Sequence, residues 1–170
     1  MDAAAAAMPR PARGRLLAFA LALAVATLDL WSKSAVFAAV GPGERVPLLG
    51  TQWLAFTAVE NRGVMWGLFP GLHWLLPWLR TVAAVVVVSM LLGTPPRSRM
   101  TLVALGLVLG GAVGNVYDGF AFGAVRDFVL VDLDIPVFDP FPVFNVADSG
   151  ICVGVALLAA GLAFERPAPE

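Results

Sequence analysis

Two aspartates are the strongest candidates for chemistry in this 170-residue chain. Asp127 follows Val125 and Arg126, and Asp148 ends the segment Phe144–Asp148 at the start of an apolar stretch. Two carboxylates that share a site cannot both ionise easily, so one of them retains a proton. The charged carboxylate can then take a proton from water while the protonated one donates to a carbonyl oxygen. The pair therefore predicts peptide hydrolysis, and the alternative is that Asp148 only stabilises a helix N-terminus.

The composition excludes several other kinds of site. The chain has one Cys and one His, which excludes a disulfide framework, an all-Cys zinc site and a His-rich metal site. We therefore expect no metal ion and no cofactor. Lys and Arg number 11 against 12 Asp and Glu, so the net charge does not indicate a nucleic-acid partner.

The same composition indicates a membrane protein. Hydrophobic residues make up 59% of the chain and charged residues 14%, against about 45–50% and about 25% in soluble domains. Four stretches approach the roughly 20 apolar residues that a spanning helix needs. We predict an all-α membrane protein that forms a single domain over 1–170, with transmembrane helices at about 16–40, 72–92, 100–117 and 143–164.

Basic residues in the short flanks predict the orientation of these helices, because Lys and Arg accumulate on the cytoplasmic side. Both termini, including a tail over 1–14, are then cytoplasmic, and the segments at about 41–71 and 118–142 are extracytoplasmic. The basic flanking residues are Arg10, Arg13, Arg15, Arg97, Arg99 and Arg166.

The two extracytoplasmic segments have the character of short strands. Val46–Phe69 carries many apolar and aromatic residues among glycines, and turn signals lie at Gly41–Gly43 and Asn61–Gly63. Val125–Val137 is also rich in β-branched residues. They predict a small extracytoplasmic β-sheet that lies on the membrane surface.

A few polar residues interrupt the apolar stretches. Asp29 and Lys33 are four residues apart and can pair on one helix face, either as a helix-positioning ion pair or as a polar site in the outer leaflet. Asn115 and Asp118 also share a face. Arg80 is either a counter-ion for an acidic residue or a snorkelling side chain.

Taken together, five segments resemble lipoprotein signal peptidase, the signal peptidase II family of bacterial membrane aspartic proteases. Each motif alone is weak, but five in order along a chain with four predicted spans are specific. The motifs are Asp29–Lys33, Asn61–Gly67, Gly110–Asp118, Val125–Phe128 and Phe141–Asp148.

The resemblance implies what the protein does and where it acts. The family cleaves prolipoproteins in the bacterial inner membrane, directly before a Cys that carries a diacylglyceryl group. By resemblance, Asp127 and Asp148 form the catalytic dyad, and we expect a monomer that contacts membrane lipids and the lipid-modified substrate. The residues implied to bind substrate or support the dyad are Asp29, Lys33, Asn61, Gly63, Asn115, Asp118 and Asn145.

One position departs from the family pattern. The family has Arg directly after the aspartate that corresponds to Asp118, and this chain has Gly119. Either Arg62 or Arg126 replaces that cation, or the enzyme is slower or altered in specificity, or the chain is a paralogue that binds lipoproteins without cleaving them. A small transporter or scaffold is disfavoured, because the polar residues gather at one surface instead of tracing a path across the membrane.

Overall fold

The computed structural model describes residues 10–51, 53–63, 74–96, 98–132 and 142–164. Four helices account for most of these residues, which agrees with the predicted helical class. They are α1 (Arg10–Ala39), α2 (Leu75–Gly93), α3 (Arg99–Phe122) and α4 (Val146–Phe164). Three of them are long and apolar enough to cross a membrane. They are α2, α3 and the part of α1 that runs from Arg13 to Ala39. The fourth, α4, is also apolar.

The predicted sheet is present and has three antiparallel strands in the order β1–β2–β3. They are β1 (Val46–Pro47), β2 (Leu54–Asn61) and β3 (Val125–Val131). The part of the second motif beyond Gly63, the strand residues predicted beyond Asp132, and Phe141 of the last motif lie outside the described residues.

Helix α3 is the core of the bundle and packs against α1, α2 and α4. Its glycines allow this packing because they leave no side chain between the helices. A Cβ at Gly106 would lie 2.7 Å from the Ala18 carbonyl oxygen, and one at Gly110 would lie 2.6 Å from the Ala22 carbonyl oxygen, both on α1. A Cβ at Gly111 would collide with the Ala147 carbonyl oxygen of α4. Close backbone approach of this kind is how small residues stabilise helix pairs in a membrane.

Strand β3 follows α3 after a tight connection. Gly123 ends α3 with φ at 69°, a left-handed conformation that glycine adopts without steric cost. The chain then enters β3, which is buried along most of its length and pairs with β2. The C-terminal end of α1 packs on this sheet through Val36 and Val40, which contact Phe128. The sheet thus covers one end of the helical bundle, next to the polar residues of α1 and α3.

Candidate active site

The predicted pair of Asp29 and Lys33 forms inside the bundle. Lys33 Nζ lies 2.7 Å from Asp29 Oδ2 and 3.3 Å from Asp118 Oδ2, and none of these side chains is exposed. The same ammonium group donates to Asn115 Oδ1 at 2.9 Å. The ammonium group thus has two carboxylates at ion-pair distance and one hydrogen-bonded amide oxygen. The cation therefore joins α1 to α3, and its side chain is fully buried.

Asp29 also connects α1 to the start of α4. Its Oδ1 accepts from the backbone N–H of Ala147 at 2.8 Å. N–H groups in the first turn of a helix lack intrahelical partners and attract negative charge. A Cβ at Gly114 would collide with the Asp29 carboxylate. Glycine at this position is therefore what admits the carboxylate between α1 and α3.

Asp118 and Arg126 fix the path from α3 into β3. Arg126 Nη2 lies 2.8 Å from Asp118 Oδ1, and the Arg126 backbone N–H donates to Asp118 Oδ2 at 2.9 Å. The guanidinium carbon lies 4.1 Å from the centroid of the Phe122 ring, within cation–π range. Arg126 is thus held by an acid and an aromatic ring. Its own backbone places the next residue, Asp127, at the end of the bundle that the sheet covers.

Asp127 receives one hydrogen bond on each carboxylate oxygen. Asn145 Nδ2 donates to Oδ1 at 2.6 Å, and Asn61 Nδ2 donates to Oδ2 at 2.9 Å. The strand pairing is irregular at this point, since Phe56 pairs with Val129 but Val59 pairs with Asp127. One extra residue on β2 makes a β-bulge, which is a common way to re-aim a side chain beside a functional site.

Asp148 lies in the first turn of α4 and forms a reciprocal capping arrangement with Asn145. Its backbone N–H donates to Asn145 Oδ1 at 2.8 Å, and its Oδ2 accepts from the Asn145 backbone N–H at 3.3 Å. The other oxygen, Oδ1, accepts from Asn115 Nδ2 at 2.8 Å. Both interpretations of Asp148 therefore apply in part, because it caps α4 and also lies beside the other polar residues.

Three asparagines hold the two carboxylates, and each amide has its orientation fixed by a donor on its oxygen. Asn61 Oδ1 accepts from the Gly63 backbone N–H at 2.8 Å. As described above, Lys33 fixes Asn115 and the Asp148 backbone fixes Asn145. The amide nitrogens must then face the carboxylates. Asp127 and Asp148 are consequently held by neutral N–H donors, with Asn145 contacting both residues.

The two carboxylates differ in their exposure. Asp127 is 2% exposed, whereas Asp148 is half-buried and Asn61 is exposed. Burial raises the pKa of Asp127 to about 6; the hydrogen bond from Asn61 opposes this rise, and the negative charge of Asp148 adds to it. A carboxyl group of this kind can hold or release a proton near neutral pH.

The structure thus gathers nearly all of the predicted site residues at one end of the bundle. Arg62 is the exception, since it is exposed and lies 3.5 Å from Glu60 in a surface pair. Gly63 has φ at 70°, and a Cβ there would collide with Leu76 of α2. Its role in the site is to supply the N–H that orients Asn61.

Two contacts of α2 were not foreseen from the sequence. A Cβ at Gly119 would lie 2.9 Å from Pro77 Cγ, so α2 occupies the space that the family's arginine would need. Arg80, one turn after Pro77, has its Nη2 3.5 Å from the position of a Cβ at Gly63. The available signal was that Arg80 is the single charged residue of α2.

Comparison with known proteins agrees with this architecture. Two solved structures described as bacterial membrane enzymes match the fold, with TM-scores of 0.78 and 0.77 at 24% sequence identity. The first covers 88% of this chain and 94% of the solved chain, and the second covers 91% and 93%. The shared fold therefore extends over nearly the whole of both proteins.

Sequence relatives identify the family. The lipoprotein signal peptidase of Anoxybacillus flavithermus is 37% identical over 147 residues, which are 86% of this chain and 84% of the relative. The lipoprotein signal peptidase of Rhodococcus jostii is 39% identical over 165 residues, which are 92% of this chain and 78% of the relative. The family model for signal peptidase (SPase) II matches residues 21–164. The chain is a bacterial integral-membrane protein that belongs to the signal peptidase II family.

Proposed function

We propose that the protein is a membrane aspartic endopeptidase that removes signal peptides from diacylglyceryl-modified prolipoproteins, cleaving directly before the lipid-modified Cys. The observation that carries this proposal is the arrangement of Asp127 and Asp148. Both carboxylates are held by amide and backbone N–H groups, and Asn145 contacts each residue. Membership of the signal peptidase II family supports the reaction and the substrate class.

The proposed reaction uses the two aspartates as an acid and a base. With one proton shared by the pair, the ionised carboxylate takes a proton from a water molecule that attacks the scissile carbonyl carbon. The protonated carboxyl group donates a hydrogen bond to the carbonyl oxygen as negative charge develops there. The tetrahedral intermediate then breaks its C–N bond, and the amine of the lipid-modified Cys leaves with a proton from the dyad. The proton belongs to the pair, and the raised pKa of Asp127 favours its retention near pH 6.

The surrounding residues would support this reaction without exchanging protons. Asn61 and Asn145 would restrict the Asp127 carboxylate, and Asn115 would restrict that of Asp148. Asp29, Lys33, Asp118 and Arg126 form a neutralised group behind Asn115. Gly63 orients Asn61 through its N–H. In this proposal they are positioning residues, and the substrate peptide enters over Asn61 and Asp148, which are at least partly exposed.

We further propose that the protein is a monomer with four membrane-spanning helices, α4 being the fourth, and that both termini are cytoplasmic. The site lies near the C-terminal ends of α1 and α3 and at the N-terminal end of α4. Arg13 and Arg15 lie at the opposite end of α1, and Arg99 lies at the opposite end of α3. Since basic residues favour the cytoplasmic side, this separation supports an active site at the extracytoplasmic face, in contact with membrane lipids.

The test of function is cleavage of a diacylglyceryl-modified prolipoprotein by the purified protein in detergent. The wild type should release the signal peptide, and the same prolipoprotein without the lipid should be cleaved far more slowly. Asp127→Asn and Asp148→Asn should each lower the rate by about 10²–10⁴-fold, the scale of acid–base catalysis. Asp132→Asn is the matched control, because Asp132 pairs with Arg45 at the surface. Full activity in either dyad variant would contradict the assignment.

The test of topology is accessibility of single cysteines in a Cys152→Ala background. Cysteines at positions 5 and 168 should react with a membrane-impermeant maleimide only after the cells are opened. A Glu44→Cys control, in the connection between α1 and β1, should react in intact cells. Labelling of either end from outside would contradict the proposed orientation.

A further inference from the structure

Arg80 is the one charged side chain of α2, and the negative charges of Asp148 and Asp127 act on its guanidinium. Its Nη2 is 3.5 Å from the position that a Cβ at Gly63 would occupy. Gly63 orients Asn61, which in turn donates to Asp127. The guanidinium therefore lies at the edge of the proposed catalytic site, near the exposed side from which a substrate would enter.

The Arg80 guanidinium has no fixed partner among the described residues. It forms no hydrogen bond or ion pair with that part of the chain, although it is only partly exposed. By contrast, Arg126 is held by Asp118, and Arg62 lies next to Glu60. A guanidinium has five N–H donors, and a charge in an apolar helix is costly unless it is paired or reaches water. Arg80 thus has donors to offer a ligand.

The charges around the site are balanced only when Arg80 is included. The acids that face Arg80 are Asp118 from α3, Asp127 from β3 and Asp148 from α4. With Asp29 on α1, the described site holds four carboxylates, and its cations are Lys33, Arg126 and Arg80. One shared proton on the dyad would then make the whole group neutral.

The contact between Gly119 and Pro77 is what brings Arg80 into this position. Pro77 and Arg80 are three residues apart, so they lie on the same face of α2. Because Gly119 has no side chain, Pro77 approaches α3 so closely that a Cβ at Gly119 would lie 2.9 Å from Pro77 Cγ. The rings of Trp78 and Phe120 meet edge to face at 5.0 Å and hold the same helix crossing.

We propose that Arg80 is a substrate-binding residue whose guanidinium donates hydrogen bonds to peptide carbonyl oxygens of the prolipoprotein next to the scissile bond. Its positive charge also offsets the charge of Asp127 and Asp148. This inference rests on the proposed function, and it assigns to α2 the cation that the position of Gly119 lacks. Arg62 and Arg126 are each occupied by an acid of their own.

The test compares Arg80→Gln and Arg80→Lys with the wild type, using the diacylglyceryl-modified prolipoprotein in detergent from pH 4 to pH 9. Arg80→Gln should lower kcat/KM by about ten- to a hundredfold, mainly through KM, the scale of a hydrogen bond to a charged group. Loss of the cation should also move the alkaline limb of the pH profile of kcat/KM to higher pH, because the dyad then retains its proton up to a higher pH. Arg80→Lys should keep the limb in place while raising KM, since an ammonium cannot make a forked contact. Arg99→Gln, at the other end of the bundle, is the control and should match the wild type.

The outcomes separate this inference from the proposed function. A wild type that does not cleave the modified prolipoprotein refutes the proposed function itself. If the wild type cleaves it and Arg80→Gln retains both its KM and its pH limb, the role of Arg80 is refuted. If Arg80→Gln does not fold, Arg80→Lys decides: an unchanged KM refutes the inference, and a raised KM with an unchanged limb supports it. A raised KM in Arg62→Ala with none in Arg80→Gln would assign the cation to Arg62 instead.

Discussion

Two pairs of aspartates lie in the same polar cluster, but their surroundings are opposite. Asp29 and Asp118 are fully buried and are bound by the charged groups of Lys33 and Arg126. Asp127 and Asp148 are bound by side-chain amides and by one backbone N–H, and Asp148 is partly exposed. We call the first pair the closed pair and the second the open pair.

The difference between the pairs decides what each can do. Asp29 and Asp118 are fully buried against Lys33 and Arg126, so neither carboxylate is open to a water molecule or a substrate. A neutral amide restricts a carboxylate while stabilising its charge less than a cation would. The open pair can therefore exchange a proton, and the closed pair serves to hold α1, α3 and β3 together around it.

The largest expected effect comes from opening the closed pair. Lys33→Met removes the cation that neutralises Asp29 and leaves its carboxylate buried without a counter-ion, which costs about 3–5 kcal/mol in proteins. We expect a strong fall in the melting temperature in detergent, measured by tryptophan fluorescence. Arg45→Met is the matched control, because Arg45 and Asp132 form an exposed pair and such pairs contribute about 0–1 kcal/mol. If Lys33→Met melted like the wild type, the closed pair would not be structural.

The next effect concerns the residue that contacts both members of the open pair. Asn145→Ala removes the donor to Asp127 Oδ1 and the side-chain cap of α4. A lost hydrogen bond to a charged group predicts a fall in kcat/KM of about ten- to a hundredfold. The lost cap predicts a modest drop in melting temperature, about 1 kcal/mol in stability. Ser149→Ala is the control and should retain activity, because within the described residues this hydroxyl bonds only to the Asn145 carbonyl oxygen. Equal losses of activity in both variants would contradict this prediction.

The pH dependence of cleavage tests the open pair directly. Because the pKa of Asp127 is about 6, the dyad of the free enzyme loses its shared proton above that pH and no longer has an acid. We expect the alkaline limb of kcat/KM at about pH 6, and that of kcat at higher pH, since bound substrate excludes water. The charged groups that face Asp127 are Asp148, Lys33 and Arg80.

Asn61→Ala tests the direction in which the pKa of Asp127 shifts. The hydrogen bond from Asn61 lowers the pKa of Asp127, so its removal should move the alkaline limb to higher pH. Unlike Asn145, Asn61 caps no helix, so the melting temperature should change little. A limb that stayed in place, or moved to lower pH, would show that Asp127 does not carry the titration.

The sequence predicted the components of both pairs better than their arrangement. Few charged residues interrupt the apolar stretches, so Asp29, Lys33 and Asp148 stood out. Asp127 lies in the connection between two of these stretches, where the strand character of β3 was evident from Val125 onward. The bulge opposite Asp127 could not be predicted, because it depends on how β2 and β3 pair in space.

The position of Arg80 was hidden from the sequence for a similar reason. Its isolation in α2 was visible, but the direction of its side chain depends on how closely α2 approaches α3. That approach is set by contact between Gly119 and Pro77, which are 42 positions apart and share no local pattern. Gly119 therefore looked like a deficiency of the site, although in the structure it makes room for α2.

The smallest expected effect comes from a single methyl group at this crossing. Gly119→Ala would place a Cβ 2.9 Å from Pro77 Cγ, closer than such atoms approach, so α2 must move by a few tenths of an ångström. A 1 Å misplacement can cost about a hundredfold in rate, so a shift of a few tenths of an ångström should cost much less. Because the shift moves Arg80 and leaves the two aspartates in place, we expect KM to rise about two- to fivefold and kcat to change little. Gly93→Ala is the matched control, because a Cβ at that end of α2 would have no other part of the described chain within 4 Å apart from its own helix backbone and chain neighbours. Pro77→Ala in the Gly119→Ala background should restore KM in part, because it removes Cγ but keeps a Cβ 3.2 Å from the new methyl group. A Gly119→Ala variant with wild-type KM would mean that the distance between α2 and α3 does not determine the position of Arg80 relative to the open pair.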